Sequence, residues 1–180
     1  MKNLFSVFII ISLFCFGCSK NDSYMSSPQY STSGNPRNPP PPNLPPATQY
    51  GANTYGCLVN GDEWLPQGNY TLPYVSCNFI NGTLSIQANQ VSSFGNQNIA
   101  INLTNVHSTG SHVLNPKLSG QNVYYLMFNK KYNCDSVTVG NLTMTRLDSN
   151  NRILSGTFYF DAIDSTTRYK IRSGRFDLRY

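Results

Sequence analysis

Apolar side chains recur at every second position through most of the chain after residue 80, and that period admits strands rather than helices. Leu84, Ile86 and Ala88 alternate with Ser85 and Gln87, and Ile99, Ile101 and Leu103 with Ala100 and Asn102. Leu142 and Met144 alternate with Thr143 and Thr145, and Phe158, Phe160 and Ala162 with Thr157, Tyr159 and Asp161. Successive side chains of a strand point to opposite faces, so each run has one buried face and one wet face, the habit of antiparallel sheets. No window of a dozen residues carries a helical stripe. Turn pairs separate the runs: Asn60-Gly61, Asn81-Gly82, Gly95-Asn96, Thr109-Gly110, Ser119-Gly120 and Ser173-Gly174. Asn81-Gly82 predicts a tight hairpin between Cys77–Ile80 and Thr83–Ile86. Ser173-Gly174 predicts another, with Tyr169, Ile171, Phe176, Leu178 and Tyr180 inward and Arg168, Lys170, Arg172, Arg175, Asp177 and Arg179 in solvent.

The expected fold is all-β: about eight to ten antiparallel strands in a sandwich or flattened barrel over residues 50–180. Composition agrees. Charged residues make up 12% of the chain, half the usual share, while 12 Tyr and 10 Phe supply strand-forming bulk. A charged disordered regulator and a helical solenoid are both excluded.

The first 17 residues have a different character. Met1-Lys2-Asn3 is followed by an apolar run from Leu4 to Phe16, too short for a finished membrane span and suited to a secretory signal. Gly17-Cys18 at its end resembles a bacterial lipobox, although Cys15 stands where the usual pattern has Leu. The resemblance implies cleavage before Cys18 and acylation of that residue on its thiol and amino group. Several acyl chains anchor a protein stably where one does not. The partner so implied is a membrane, and the location a bacterial outer membrane, its periplasmic or surface face left open. Residues 18–49 read as a disordered linker. Eight of the 11 prolines fall there, and the run from Pro39 to Pro46 suits an extended spacer.

Chemistry-bearing patterns are sparse. No phosphate-binding glycine loop or nucleophile elbow occurs. His107 and His112 lack nearby carboxylates or thiols that would complete a metal site, so neither metal nor cofactor is expected. Asp62 and Glu63 are adjacent and diverge in an extended segment, and Asp161 and Asp177 fall on expected solvent faces among arginines, where ion pairing explains them. Asp148-Ser149-Asn150-Asn151-Arg152 starts like a calcium loop but puts Arg152 at a ligand position, and reads as a turn. Of five cysteines, Cys57, Cys77 and Cys134 remain in the domain. An exported protein permits one bond among them. Cys57 reads as a small buried apolar residue, leaving Cys77 with Cys134 as the favoured pair and three free thiols as the alternative. After residue 145, seven cations face four carboxylates. This basic stretch is read as a solvated sheet face, and nucleic acid is not expected as a partner.

The run Tyr55-Gly56-Cys57-Leu58-Val59-Asn60-Gly61, closing on Trp64 and Pro66, resembles the domain start of a family of uncharacterised Bacteroidetes-type lipoproteins. Ile153-Leu154-Ser155-Gly156-Thr157-Phe158 and Gly174-Arg175-Phe176-Asp177 resemble its closing stretches. This resemblance implies an envelope location and a β architecture, and no activity. Asp135-Ser136-Val137 and Asp164-Ser165-Thr166 are similar to a short O-glycosylation pattern of such bacteria, which implies Ser136 and Ser165 as acceptors.

The expected function is a non-catalytic envelope module that binds glycan or protein or serves an assembly. The alternative is an envelope glycan hydrolase with a carboxylate pair that the sequence does not reveal. A binder would show a row of exposed rings, for which Trp64, Tyr70, Tyr74, Tyr124, Tyr125 and Tyr132 are the candidates.

Overall fold

Two Asn-Gly pairs set the first hairpins. Asn60 (φ 54°) and Gly61 (φ 98°) join β1 (Thr54–Val59) to β2 (Asp62–Trp64), and Asn81 (φ 49°) and Gly82 (φ 76°) join β3 (Val75–Ile80) to β4 (Thr83–Ser92). Positive φ at both central residues matches the turn to the twist of the flanking strands. The computed structural model describes residues 43–68, 74–93 and 95–180. The signal segment 1–17, Cys18, linker residues 19–42 and Tyr70 lie outside them.

The remaining strands are β5 (Gly95–Leu103), β6 (Gly110–Leu114), β7 (Gln121–Met127), β8 (Lys130–Cys134), β9 (Gly140–Asp148), β10 (Ile153–Ile163) and β11 (Arg168–Arg179). The described residues thus form eleven strands, one more than the upper expectation, and no helix. They make one curled antiparallel sheet in the order β2-β1-β11-β10-β8-β7-β5-β4-β3. β10 is the branch point. Its first part pairs with β9, which carries β6, and its last residues Ala162 and Ile163 pair with β8.

The alternation places the core as expected. Leu84, Ile86, Ile99, Ile101, Leu142, Met144, Phe158, Phe160, Ile171, Phe176 and Leu178 are buried in one cluster with Tyr55, Cys57 and Trp64. Burying each large apolar side chain is worth about 1.5–3 kcal/mol, so this inner face carries the fold.

The C-terminal hairpin is not formed. β11 runs unbroken through Ser173-Gly174, which is a bulge instead. Phe158 pairs with Gly174 and Phe160 with Ile171, so three steps on β11 face two on β10; the same slip recurs against β1 between Gly56 and Leu58. Ser173 takes φ 52° to absorb the extra residue. A serine-glycine pair satisfies a bulge as well as a turn, and here pairing on both edges of β11 selects the bulge.

The solvent assignment of Asp161 and Asp177 also fails. Asp161 is 3% exposed and Asp177 1%. The ion pairing expected of Asp161 is present: Arg168 and Arg172 approach its two oxygens at 2.6 and 2.5 Å. Among the described residues no arginine meets Asp177. Instead, residues 43–53 lie along β11 as a strap, and its carboxylate collects their donors.

Candidate functional site

β9, β10 and β11 turn a row of polar side chains outward: Asn141 and Thr143 from β9, Thr157 and Tyr159 from β10, Arg172 and Arg175 from β11. Together with Ala47 of the strap they line an open groove of about 460 Å³. The register explains the row. Asn141 faces Tyr159, Thr143 faces Thr157, and Thr157 faces Arg175. Arg172 and Arg175 are three apart, a spacing that puts residues of a regular strand on opposite faces. The bulge at Ser173 restores them to one face, and Tyr159 stands beside it without a Cα partner on β11. Tyr159 is 48% exposed.

The strap bounds the groove. Asp177 Oδ2 accepts from Thr48 Oγ1 (2.7 Å) and the amides of Tyr50 (3.1 Å) and Ala52 (3.0 Å). Its Oδ1 accepts from the Gly51 amide (2.8 Å) and Ser155 Oγ (2.7 Å). Burial pushes this carboxyl up, but the Ser155 and Thr48 hydroxyls and the amides outweigh burial and bring it down to about 2. Strap carbonyls are met by arginines: Tyr50 and Gly51 by Arg179, Gln49 by Arg146, Pro45 by Arg175. At the front of the strap, the Asn43 amide donates to Glu63.

At the other end of the groove, Arg168 bridges Asp135 (2.8 Å) and Asp161 (2.6 Å). This is the closest approach to the carboxylate pair that a glycan hydrolase would need. A general acid requires a raised pKa. Here the Val137 amide and Arg168 hold Asp135 low, and the two arginines hold Asp161 low against its burial. Asp164, paired with Lys130, and Asp148, bonded to Asn151 and Arg146, lie well below the usual range as well. The Asp148 segment is the turn expected, with Asp148 Oδ1 accepting from the Asn151 amide.

The other sequence candidates do not converge. Cys57, Cys77 and Cys134 are free thiols, so the Cys77–Cys134 bond is not formed; β4, β5 and β7 separate their strands in the sheet order. Burial raises Cys77 to about 12 and Cys134 to about 11, which leaves neither a nucleophile. His107 is exposed beside Gly82, and the His112 ring meets the Ser108 carbonyl at 3.3 Å. No group of three His, Cys, Asp or Glu among the described residues is placed to hold a metal ion. Ser136 is half-buried next to Asp135, and Ser165 is exposed at the β10–β11 turn.

Of the expected ring row, Trp64, Tyr125 and Tyr132 are core residues. The Gln97 side chain accepts from both Trp64 Nε1 (2.8 Å) and Tyr125 OH (2.5 Å), giving the buried polar tips their partner. Tyr74 is exposed and Tyr124 lies under Lys131, on positions that β4 and β5 separate. Tyr159, which the ring row omitted, was the aromatic on an outward position of β10, and that alternation was the signal for it. Set beside protein families, curated proteins and solved structures, the chain matches none.

Proposed function

We propose that this protein is a lipid-anchored lipoprotein of the bacterial outer membrane whose β domain binds a glycan without transforming it. The observation that carries the reading is the groove: a half-exposed Tyr159 ring set among Asn141, Thr143 and Thr157, with no carboxylate in its lining. The apolar face of a sugar stacks on such a ring while its hydroxyls exchange hydrogen bonds with short amide and hydroxyl side chains. The anchor half of the reading is supported by Gly17-Cys18 and the proline-rich spacer, which would hold the domain clear of the lipid.

The hydrolase alternative is disfavoured by the arginines and amides that keep Asp135 and Asp161 ionised. Detergent phase partitioning tests the anchor: the full chain enters the detergent phase and a Cys18→Ala chain does not. A glycan array tests the binding, with Tyr159→Ala losing the signal. A chain that binds proteins but no sugar would overturn the glycan half.

A further inference from the structure

The geometry points to an acidic sugar, a uronate within an oligosaccharide, as the ligand class of the groove; this inference rests on the glycan-binding reading above. The two guanidinium groups at the groove are not equivalent. Arg172 donates to Asp161 at 2.5 Å and to the carbonyls of Phe160 (3.0 Å) and Ile171 (2.8 Å), so its charge and most of its donors are taken. Among the described residues Arg175 donates only to the carbonyls of Ser173 and Pro45, both at 3.3 Å. These long bonds orient the guanidinium and leave its charge unneutralised. Among the described residues Arg175 forms no ion pair.

An anion entering the groove therefore meets one oriented cation and no carboxylate to repel it. A guanidinium binds a carboxylate through paired N–H donors, which gives direction as well as attraction. Arg175 is opposite Thr157 and, on β10, diagonal to Tyr159. Diagonal positions on one face lie about 7–8 Å apart, within reach of long side chains. One pyranose ring on Tyr159 can thus present its carboxylate to Arg175 and its hydroxyls to Thr157 and Thr143. The bulge is what makes this possible, because without the extra residue at Ser173 either Arg172 or Arg175 would face the core.

The test uses the detergent-solubilised full chain and paired ligands: oligogalacturonate, oligoglucuronate and oligomannuronate, each beside its carboxyl-reduced counterpart. A charge-assisted bond predicts that at least one uronate binds about tenfold or more tightly than its reduced form. Arg175→Gln removes that preference, Arg175→Lys restores part of it, and Lys117→Gln, a cation away from the groove, leaves it intact. Thermal unfolding of the Arg175 variants checks that they fold. Equal binding of acid and reduced forms, or loss on Lys117→Gln, overturns the acidic-sugar inference while the glycan reading stands. Binding of no member of either series overturns the acidic-sugar inference, and a glycan array that is silent as well overturns both.

Discussion

Asp161 and Asp177 stand on neighbouring strands and on the same outer face, at the two ends of the groove, and both are buried. They are buried by different means. Asp161 is answered by charge: Arg168 and Arg172, whose side chains are 42% and 39% exposed, fold over it from its own hairpin. Asp177 is answered by neutral donors, three amides and two hydroxyls, and four of the five come from the strap. The first arrangement is local and shares its charges with water. The second joins segments more than a hundred positions apart and excludes water. A carboxylate on a wet face thus becomes either part of a surface ion network or the fastener for a distant piece of chain.

The largest effect should follow from breaking the fastener. Asp177→Asn keeps the shape but puts an NH2 group where one oxygen stood, so either rotamer sets donors against donors. Hydrogen bonds to a buried charge are worth about 1.5–3 kcal/mol each, and unsatisfied donors cost a similar amount. A loss near 3 kcal/mol in chemical denaturation is expected, together with fast hydrogen exchange at the Tyr50, Gly51 and Ala52 amides. Retained protection of those amides would show that the strap is held by something else.

Acid should unfasten the same point without mutation. The Asp177 carboxyl is at about 2 in the folded chain against 3.8 ordinarily, so its contribution is fully present above about pH 4 and is lost as pH falls through 2. A shift of that size corresponds to about 2 kcal/mol. The Asp177→Asn chain should show a flatter fall of stability across that window than the native chain. An equal slope in both would assign the acid sensitivity to the other carboxylates.

Asp161→Asn should cost less, about 1–2 kcal/mol, because its two exposed guanidinium groups can return to water and Arg168 keeps Asp135. Its signature is salt. Raising ionic strength screens the Asp161 network and leaves the hydrogen bonds of Asp177 nearly untouched. The salt sensitivity of the native chain should therefore shrink in Asp161→Asn and persist in Asp177→Asn.

The same pair marks where sequence reasoning reached and where it stopped. The inward set from Leu84 to Leu178 was legible because burial imposes a strict period of two, and Asn81-Gly82 because that turn chemistry favours two positive φ values. The Phe128-Asn129 hairpin between β7 and β8, with φ 51° and 66°, carried no such signal, since Phe has no preference for that region. Asp161 and Asp177 were assigned to solvent by the same alternation that placed Phe160 and Phe176. Alternation reports which face a residue is on and cannot report what later covers that face. Of the strap that covers Asp177, residues 43–49 with Pro45 and Pro46 read as linker, and residues 50–53 carry no alternation that would mark them as part of the sheet. The groove's polar row was visible in the alternation of β10, but its meeting with Arg172 and Arg175 depends on a bulge that the Ser173-Gly174 pair disguised as a turn.

The contacts of Arg179 with the strap decide whether Asp177 is its sole fastener. Arg179 donates to the Gly51 carbonyl at 3.3 Å and to the Tyr50 carbonyl at 3.2 Å, the first part-buried and the second exposed. Both bonds are long and water can also serve the exposed Tyr50 carbonyl, so Arg179→Ala alone should change stability by about 0.5 kcal/mol. Its meaning lies in the double variant. If Asp177 alone holds the strap, those carbonyls are already released in Asp177→Asn, and adding Arg179→Ala there should cost nothing further. If the strap is instead held by many weak contacts, the two changes act independently and their effects add. A denaturation cycle of the four chains separates these outcomes, with hydrogen exchange at Gly51 as the local readout. Additive losses would make Asp177 one contact among several and remove the contrast with Asp161.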